Sequence, residues 1–414
     1  MERRTFLKIL SSAGIVSLVS PTFAMEVCKN KVSKSSSALL ESAFRNPPFS
    51  SGVYTWWHWM NGNITKDGIT RDLEAMKANG IAGYQLFEAG SGIPIGPVES
   101  LSDEWVDLIL HTLKESERLG LEFAMHNCPG WSSSGGPWIT PDKAMQIITW
   151  SETKITGGKQ VRIQLPTPKH MFDYYIDTYC LAIPANMKVI PRLSILELSN
   201  RLDKDGVLTW DVPTGEWLIM RFGQTAKDQK NKSAPSKSTG LDCDKFSTEA
   251  LDYHLNCMFK RLMPAMEKIA KHSKIGLLID SYETGDQDWT SDMPAYFEQS
   301  HGYELYPFLP VLANKIVESE ESTKRFLFDF RRVRADMFAE RYYGHFQKRC
   351  KEKGIITYTE PYGGNMMEEL QVAQQLDINM GEFWCGQTVL WANYKYNRTV
   401  KPVSYTHLTL PTIA

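Results

Sequence analysis

Carboxyl groups follow several short apolar segments of this 414-residue chain, at the points where each segment ends. These acids are Glu88, Asp280, Glu283, Glu360 and Glu382. Two carboxyl groups are the usual equipment for glycoside hydrolysis, where one protonates the leaving oxygen and the other activates water or attacks carbon. Acids gathered at one place also suit a hard cation such as calcium. The pattern therefore favours hydrolytic chemistry on a polar substrate.

The stretch 274–285 shows how such acids would be positioned. Ile275–Ile279 is a short apolar run bounded by turn residues, which is typical of a buried strand in a parallel sheet. Active sites of β/α barrels lie at the carboxyl ends of such strands. Asp280 could alternatively cap a following helix. Glu283 lies beyond that cap and beside aromatic residues, so catalysis is the favoured interpretation for Glu283.

Strand and helix patterns alternate on both sides of that stretch, which indicates an α/β fold with a parallel sheet. Helices are expected over about 66–79 and 103–119. The predicted strands lie within 53–63, 81–88, 121–127, 275–279, 355–360 and 378–382. A (β/α)8-type TIM barrel needs eight strands. The expected fold is therefore an incomplete TIM barrel with about six strands.

The alternation is interrupted after the third strand. Short segments of alternating polarity, separated by turns, extend from about 144 to 240 and predict an antiparallel β insertion. A long helix over about 247–272 then leads to the fourth strand, and further helices are expected over 293–301 and 322–354.

The chain ends carry segments of other kinds. Residues 1–24 contain the Arg3-Arg4 pair and a short apolar run, which together resemble a twin-arginine-type signal peptide. The run is too short to span a bilayer comfortably, so we expect a periplasmic or secreted protein without stable membrane insertion. Residues 25–50 are predicted to be a linker before a partial barrel catalytic domain at 51–402.

The last residues, 403–414, resemble translated sequencing-adapter tails and are expected to be a non-native tail. With two strands fewer than a complete barrel, the 414-residue product is expected to be insoluble or inactive.

Composition narrows the classes of partner. The formal net charge of −2 provides no strong field for nucleic acid or anionic membranes. No CxxC spacing suggests zinc. The 12 Trp and 17 Tyr include many beside polar residues, and flat aromatic faces beside polar groups suit sugar rings, although core packing is the common role of a single Trp. The predicted partner is an oligo- or polysaccharide.

Polar and aromatic side chains near the predicted strand ends are the candidates for substrate contact. They are Trp57, His58, Asn61, Glu88, Asn127, Trp131, Asp280, Tyr282, Glu382 and Trp384. His126 also lies at a strand end. Glu283 and Glu360 are the catalytic candidates.

Four blocks of sequence carry a family resemblance. They are WWHWMNGNITKDGI at 56–69, DSYETG at 280–285, YTEPYG at 358–363 and MGEFW at 380–384. Together they resemble glycoside hydrolase family 106, the α-L-rhamnosidases, over about 45–400. The resemblance implies a catalytic β/α barrel, calcium dependence, and removal of α-L-rhamnosyl residues from plant or bacterial glycans with inversion.

By the same resemblance Glu283 matches the general acid. The partner base is expected on a seventh strand, Glu360 is the alternative, and the calcium ligands remain unassigned. Two other functions stay open: a barrel glycosidase for another deoxy- or uronic sugar, and a non-catalytic carbohydrate-binding protein. Acids at four strand ends favour an enzyme.

Overall fold

The computed structural model describes residues 34–381, apart from 91, 132–133 and 232. The chain divides into two compact units, Met1–Gly52 and Val53–Ala414. The first contains a helix, α1 (Lys34–Arg45), within the stretch where the composition indicates a linker. Consecutive residues of high helix propensity, such as Ala38, Leu39 and Leu40, explain this difference.

Within Val53–Ala414, helices and strands alternate around one main sheet. The helices that follow α1 are α2 (Lys66–Ala78), α3 (Asp103–Leu119), α4 (Thr248–Phe259), α5 (Met263–Ala270), α6 (Met293–His301), α7 (Leu309–Leu312), α8 (Glu320–Met337), α9 (His345–Lys351) and α10 (Glu369–Ala373). The strands are β1 (Tyr54–Met60), β2 (Gly83–Ala89), β3 (Glu122–His126), β4 (Gly135–Gly136), β5 (Gln146–Thr156), β6 (Lys159–Gln164), β7 (Ile176–Pro184), β8 (Val189–Ile190), β9 (Leu196–Glu197), β10 (Val207–Val212), β11 (Glu216–Ala226), β12 (Leu241–Asp242), β13 (Ile275–Ile279), β14 (Ile316–Val317), β15 (Ile356–Thr359) and β16 (Ile378–Asn379).

The main sheet has six strands in the order β1-β2-β3-β13-β15-β16. Every neighbouring pair is parallel, so all six strands end at the same edge. In the described residues β1 and β16 are the outer strands and the sheet does not close. Parallel strands buried by helices require continuous apolar sequence, which explains why all five residues of β13 are buried.

Local signals position the first two strand–helix units as the sequence predicts. The Thr65 side chain accepts a hydrogen bond from the amide of Gly68 at the start of α2. Gly120 ends α3 in the left-handed conformation, at φ 65°. These helix ends lead into β2, which pairs with β1, and β3, which pairs with β2.

Two helices differ from the continuous helices that the sequence predicts. The predicted helix over 247–272 is divided into α4 and α5, because Pro264 in the first turn of α5 cannot continue a helix from α4. The predicted helix over 322–354 contains a π segment, Phe338–Gly344, between α8 and α9. The wider turn of a π segment lets the adjacent residues Tyr342 and Tyr343 both enter the core, where each is fully buried.

The stretch between β3 and β13 forms antiparallel structure, as the alternating pattern predicts. A four-stranded sheet has the order β5-β11-β7-β9, and β6 pairs with β10 in a separate ribbon. Leu165, Leu208, Trp210 and Ile219 belong to a small apolar core of this insertion. The insertion therefore has packing of its own beside the main core.

The main core lies between the parallel sheet and the helices that cover one of its faces. Among the residues that the structure describes, no helix combines the length and the apolar character needed to cross a membrane.

We predict that Gly276→Ala lowers the free energy of unfolding by about 1–3 kcal/mol, because the added methyl group overpacks the sheet. A Cβ atom on Gly276 would lie 2.3 Å from the Tyr358 ring. Urea unfolding of Gly276→Ala, Tyr358→Leu and the double variant would measure the coupling. Because the smaller side chain relieves the clash, the double variant should lose less stability than the sum of the single variants. Additive losses would contradict this packing.

Candidate active site

The face of the sheet that lies opposite the helices carries a separate apolar cluster, which we call the inner face. It comprises Phe87, Ala124, Leu278, Tyr358 and Met380, with Trp56, Trp131, Ile356 and Ile378 packed against them. Side chains alternate between the two faces of a strand, so Phe87 points to this face and its neighbour Glu88 points away. Whether a residue is odd or even along its strand therefore decides which face of the sheet its side chain occupies, and so which polar groups it can contact.

Two histidines and an aspartate meet at the inner face. The rings of His58 and Phe87 are stacked with centroids 5.0 Å apart, and the centroids of Phe87 and His126 are 3.6 Å apart. The Nε2 atom of His126 lies 3.7 Å from Oδ2 of Asp280, and both side chains are buried. His58, Phe87 and His126 lie in β1, β2 and β3, and Asp280 directly follows β13. These residues are far apart in the sequence because each comes from a different strand.

Burial lowers the pKa of His126 well below its ordinary value, and the neighbouring His58 lowers it further. Burial also lowers the pKa of His58. His126 is consequently neutral at physiological pH, and its contact with Asp280 is a dipolar contact rather than an ion pair. The inner face thus combines aromatic surface with a buried carboxyl group.

The loops after β13 and β15 are joined to each other. The amide of Tyr282 donates to the carbonyl of Tyr362 (2.9 Å), and the Tyr362 hydroxyl donates to Oε2 of Glu360 (2.8 Å). A Cβ atom on Gly363 would lie 2.3 Å from the Tyr282 carbonyl oxygen, so only glycine allows this approach. These contacts hold Glu360 and the loop that bears Glu283 beside each other.

The strand-end acids differ in exposure. Glu360 is completely buried and Asp280 is 2% exposed. Glu283 is exposed, and its Oε1 accepts a long hydrogen bond (3.4 Å) from the Ser281 hydroxyl. Among the strand-end acids that the structure describes, Glu283 is thus the one accessible to a large substrate.

Two predicted substrate contacts point to the helices instead of the inner face. Trp57 donates from Nε1 to Asp72 in α2 (3.0 Å), and Glu88 accepts a hydrogen bond from Ser100 and lies beside Trp105 of α3. Both predictions are corrected by the alternation along β1 and β2, because residues adjacent to His58 and Phe87 occupy the opposite face.

Three further side chains predicted to contact substrate donate hydrogen bonds to backbone carbonyls. Asn61, at φ 51°, donates to the carbonyl of Ile93 (2.6 Å). Asn127 donates to the carbonyl of Leu278 (2.8 Å), and the Tyr282 hydroxyl donates to the carbonyl of Gly285 (2.8 Å). All three side chains are buried, and their hydrogen bonds hold the backbone of the surrounding loops.

The remaining predicted residues divide into two groups. His58, Trp131 and Asp280 lie at the inner face. Glu382 and Trp384 lie outside the described residues.

Two sets of buried polar residues are not predicted from the sequence. Gln85 accepts a hydrogen bond from the Trp56 indole (2.7 Å) at the inner face, and counting alternate residues back from Phe87 would have found it. Lys245 is completely buried, and its Nζ donates to Asp242 (2.7 Å) and to the carbonyl of Cys243 (2.9 Å). No spacing in the sequence indicates this buried ion pair.

The described side chains do not identify the ligands of the expected calcium site. In the part of the chain that the structure describes, no group of three or more His, Cys, Asp or Glu side chains is arranged to hold a metal ion. The expected calcium site therefore has no assigned ligands, and no chemical step is assigned to calcium.

An α/β domain with carboxyl groups at the ends of parallel strands is the arrangement of many glycoside hydrolases. The sequence profile of glycoside hydrolase family 106, described as alpha-L-rhamnosidase, matches residues 45–178 and 169–407. The chain belongs to this family.

Two individual proteins extend the comparison. A protein of Formosa agariphila named "Putative beta-glucuronidase" is 41% identical in an alignment of 378 residues that covers 84% of this chain and 32% of the relative. The solved structure of the rhamnosidase from Novosphingobium sp. PP1Y has a similar fold, with a TM-score of 0.77 at 24% identity over 84% of this chain and 50% of that chain. The chain thus spans about a third of the length of the curated relative.

We predict that Glu88→Gln stabilises the protein above pH 7. Burial raises the pKa of Glu88 from 4.5 to about 7, against opposing hydrogen bonds from Ser100 and Trp105. The folded state therefore keeps a proton that the unfolded state loses, and stability falls as pH rises from about 4.5 to 7. The neutral amide avoids this loss, which is on the order of 3 kcal/mol at pH 8.

Urea unfolding at pH 8 and pH 5 measures the effect, which should be small at pH 5. Glu104→Gln, at an exposed position in α3, is the matched control and should change stability little at either pH. Equal destabilisation by Glu88→Gln at both pH values would show that the Glu88 carboxylate is required in its ionised form.

Proposed function

We propose that this domain hydrolyses α-L-rhamnosides of plant or bacterial glycans, with Glu283 as the general acid. The observation that carries the proposal is the exposure of Glu283 beside acids that are buried. A general acid must reach the glycosidic oxygen of a bound substrate, so an accessible carboxyl group at a strand end fits this role. Family membership supports the sugar specificity.

The proposed reaction inverts the anomeric centre. Glu283 donates its proton to the leaving oxygen while a carboxylate activates water on the opposite side of the sugar, about 6.5–9.5 Å away. Glu360 is the alternative for the role of base. It is completely buried and accepts a hydrogen bond from the Tyr362 hydroxyl, so a supporting role in the site suits it better. We propose that the base lies on a further strand of a complete (β/α)8 barrel.

The inner face supports a deoxy sugar. Rhamnose carries a methyl group where glucose carries a hydroxymethyl group, and the partly exposed Trp131, packed against this cluster, offers apolar surface for it. His58 provides an exposed polar ring on the same face.

β-Glucuronide hydrolysis is the second candidate, because a relative with 41% identity carries that name. A bound uronate needs a cationic partner for its carboxylate. The six strands of the parallel sheet contain neither Lys nor Arg. This favours the rhamnoside, and turnover of aryl α-L-rhamnosides against aryl β-D-glucuronides decides between the two. Saturable binding without turnover of either would instead support a carbohydrate-binding protein.

Calcium dependence remains a prediction of the family resemblance, without assigned ligands in the described residues. Loss of turnover on chelation, with recovery on adding calcium rather than magnesium, is the corresponding test.

In an enzyme that carries all eight strands of the barrel, we predict that Glu283→Gln lowers kcat on a natural rhamnoside by about 10²–10⁴-fold, because the amide cannot protonate the leaving oxygen. The kcat for an aryl rhamnoside should fall less, because an acidic phenol leaves with little proton assistance. Steady-state kinetics of both substrates measure the difference. Glu298→Gln, exposed in α6, is the matched control. Similar losses on both substrates would assign Glu283 another role.

We also propose export through the twin-arginine route, on the basis of Arg3 and Arg4. Replacing both residues with Lys should leave precursor in the cytoplasm, measured by cell fractionation and immunoblotting. Undiminished periplasmic protein would indicate the general secretory route.

A further inference from the structure

Two cavities at strand β5 of the insertion share one tryptophan in their linings. Trp150 and Ile148 of β5 line both cavities, whose volumes are about 380 and 290 Å³. Ile147 and Met171 add apolar surface to the larger one, and Leu327 and Phe330 of α8 add it to the smaller one. We call this pair the Trp150 cavities. A half-buried indole between apolar walls suits the C–H face of a sugar ring.

Cationic groups outnumber carboxyl groups in the Trp150 cavities. Lys169, Lys227, Arg331 and Arg334 line them, against Asp228 and Asp288. Asp288 accepts the amide of Ile148 (2.9 Å), and Asp228 lies 3.6 Å from the Lys230 ammonium group. Lys227 and Arg334 likewise donate to the carbonyls of Asp286 and Gln287. The cavities therefore keep two more cationic groups than carboxyl groups, which favours an anionic ligand.

Hydrogen bonds fix the Trp150 cavities to the loop that bears Glu283. The amide of Trp289 donates to the carbonyl of Gln146 at the start of β5 (3.3 Å). The ammonium group of Lys227 donates to the carbonyl of Asp286 (2.5 Å). Asp286 is three residues after Glu283, so their Cα atoms are at most about 11 Å apart. A glycan held at Glu283 can therefore extend towards Lys227.

A strained loop forms one wall of the larger cavity. Phe172 and Asp173 have φ values of 57° and 51°, which side chains other than glycine adopt at a cost. The amide of Met171 donates to the Thr225 hydroxyl (3.0 Å), which ties the loop to β11. The amide of Tyr174 donates to the carbonyl of Met171 (3.0 Å), so these two positive φ values belong to a tight turn beside the cavity.

We propose that the Trp150 cavities bind acidic sugar units of the glycan, on the leaving-group side of the scissile bond. The indole of Trp150 packs against a sugar ring, and Lys169 and Arg331 pair with uronate carboxylates. This inference rests on the proposed glycan hydrolysis, since it assigns the leaving group of the same reaction to these cavities.

Binding of a rhamnose-free trigalacturonate tests the proposal independently of turnover. Calorimetry should show binding of this acidic trimer, weaker binding of neutral galactotriose, and loss of affinity as salt rises. Lys169→Gln/Arg331→Gln should weaken binding of the acidic trimer by about tenfold, because two charge pairs are lost. Both side chains are exposed, so the double variant should fold.

The matched control is Lys159→Gln/Arg162→Gln, which removes the same charges from exposed positions of β6. It should leave the affinity for the acidic trimer unchanged. Trp150→Ala should weaken both trimers and Trp150→Phe should retain most of the affinity, with thermal unfolding confirming that each variant folds.

Three results would overturn the proposal: equal affinity for the two trimers, equal losses in the test and control variants, or no loss in either. Turnover of aryl α-L-rhamnosides is measured separately, because the leaving group of these substrates contains no uronate sugar. Selective binding of trigalacturonate, without such turnover by an enzyme that carries all eight barrel strands, would overturn the proposed function and still support the site.

Discussion

Alternation of side chains along parallel strands governs how this site is built. All six strands end at one edge, so their last residues are brought together whatever their separation in sequence. Whether a residue then reaches the inner face depends on its position being odd or even along the strand. The inner face carries the side chains of His58, Phe87, His126 and Asp280. The side chains of Trp57 and Glu88 point to the opposite face, towards the helices.

Burial gives the strand-end acids different properties. Glu88 lies between sheet and helix, where desolvation raises its pKa to about 7, and it has Ser100 as a hydrogen-bond donor. Glu360 is also enclosed, with the Tyr362 hydroxyl as a donor. Glu283 lies beyond its strand in a loop and is exposed. Proton transfer to a substrate requires access, so the loop position of Glu283 matters as much as its charge.

A buried ion pair holds the insertion at the sheet. Lys245 and Asp242 are fully buried, and the Lys245 ammonium group also donates to the carbonyl of Ser134 (3.2 Å) in the segment after β3. Burying two charges costs several kcal/mol, and such pairs persist where further hydrogen bonds satisfy both groups. Here the pair fixes where the chain returns from the insertion to α4, and hence where the Trp150 cavities lie relative to Glu283.

Local signals in the sequence determined the elements: short apolar runs for the strands, Thr65 and Gly120 at helix ends, and alternating polarity in the insertion. They also determined that acids follow the strands, because an acid after an apolar run is visible without a structure. The tertiary structure decided which of these residues share a surface. The side chains of Asn61 and Asn127 are bonded to carbonyls that segments far apart in sequence supply. The Lys245–Asp242 pair and the Trp150 cavities likewise depend on contacts between distant segments, and no local pattern of residues encodes such contacts.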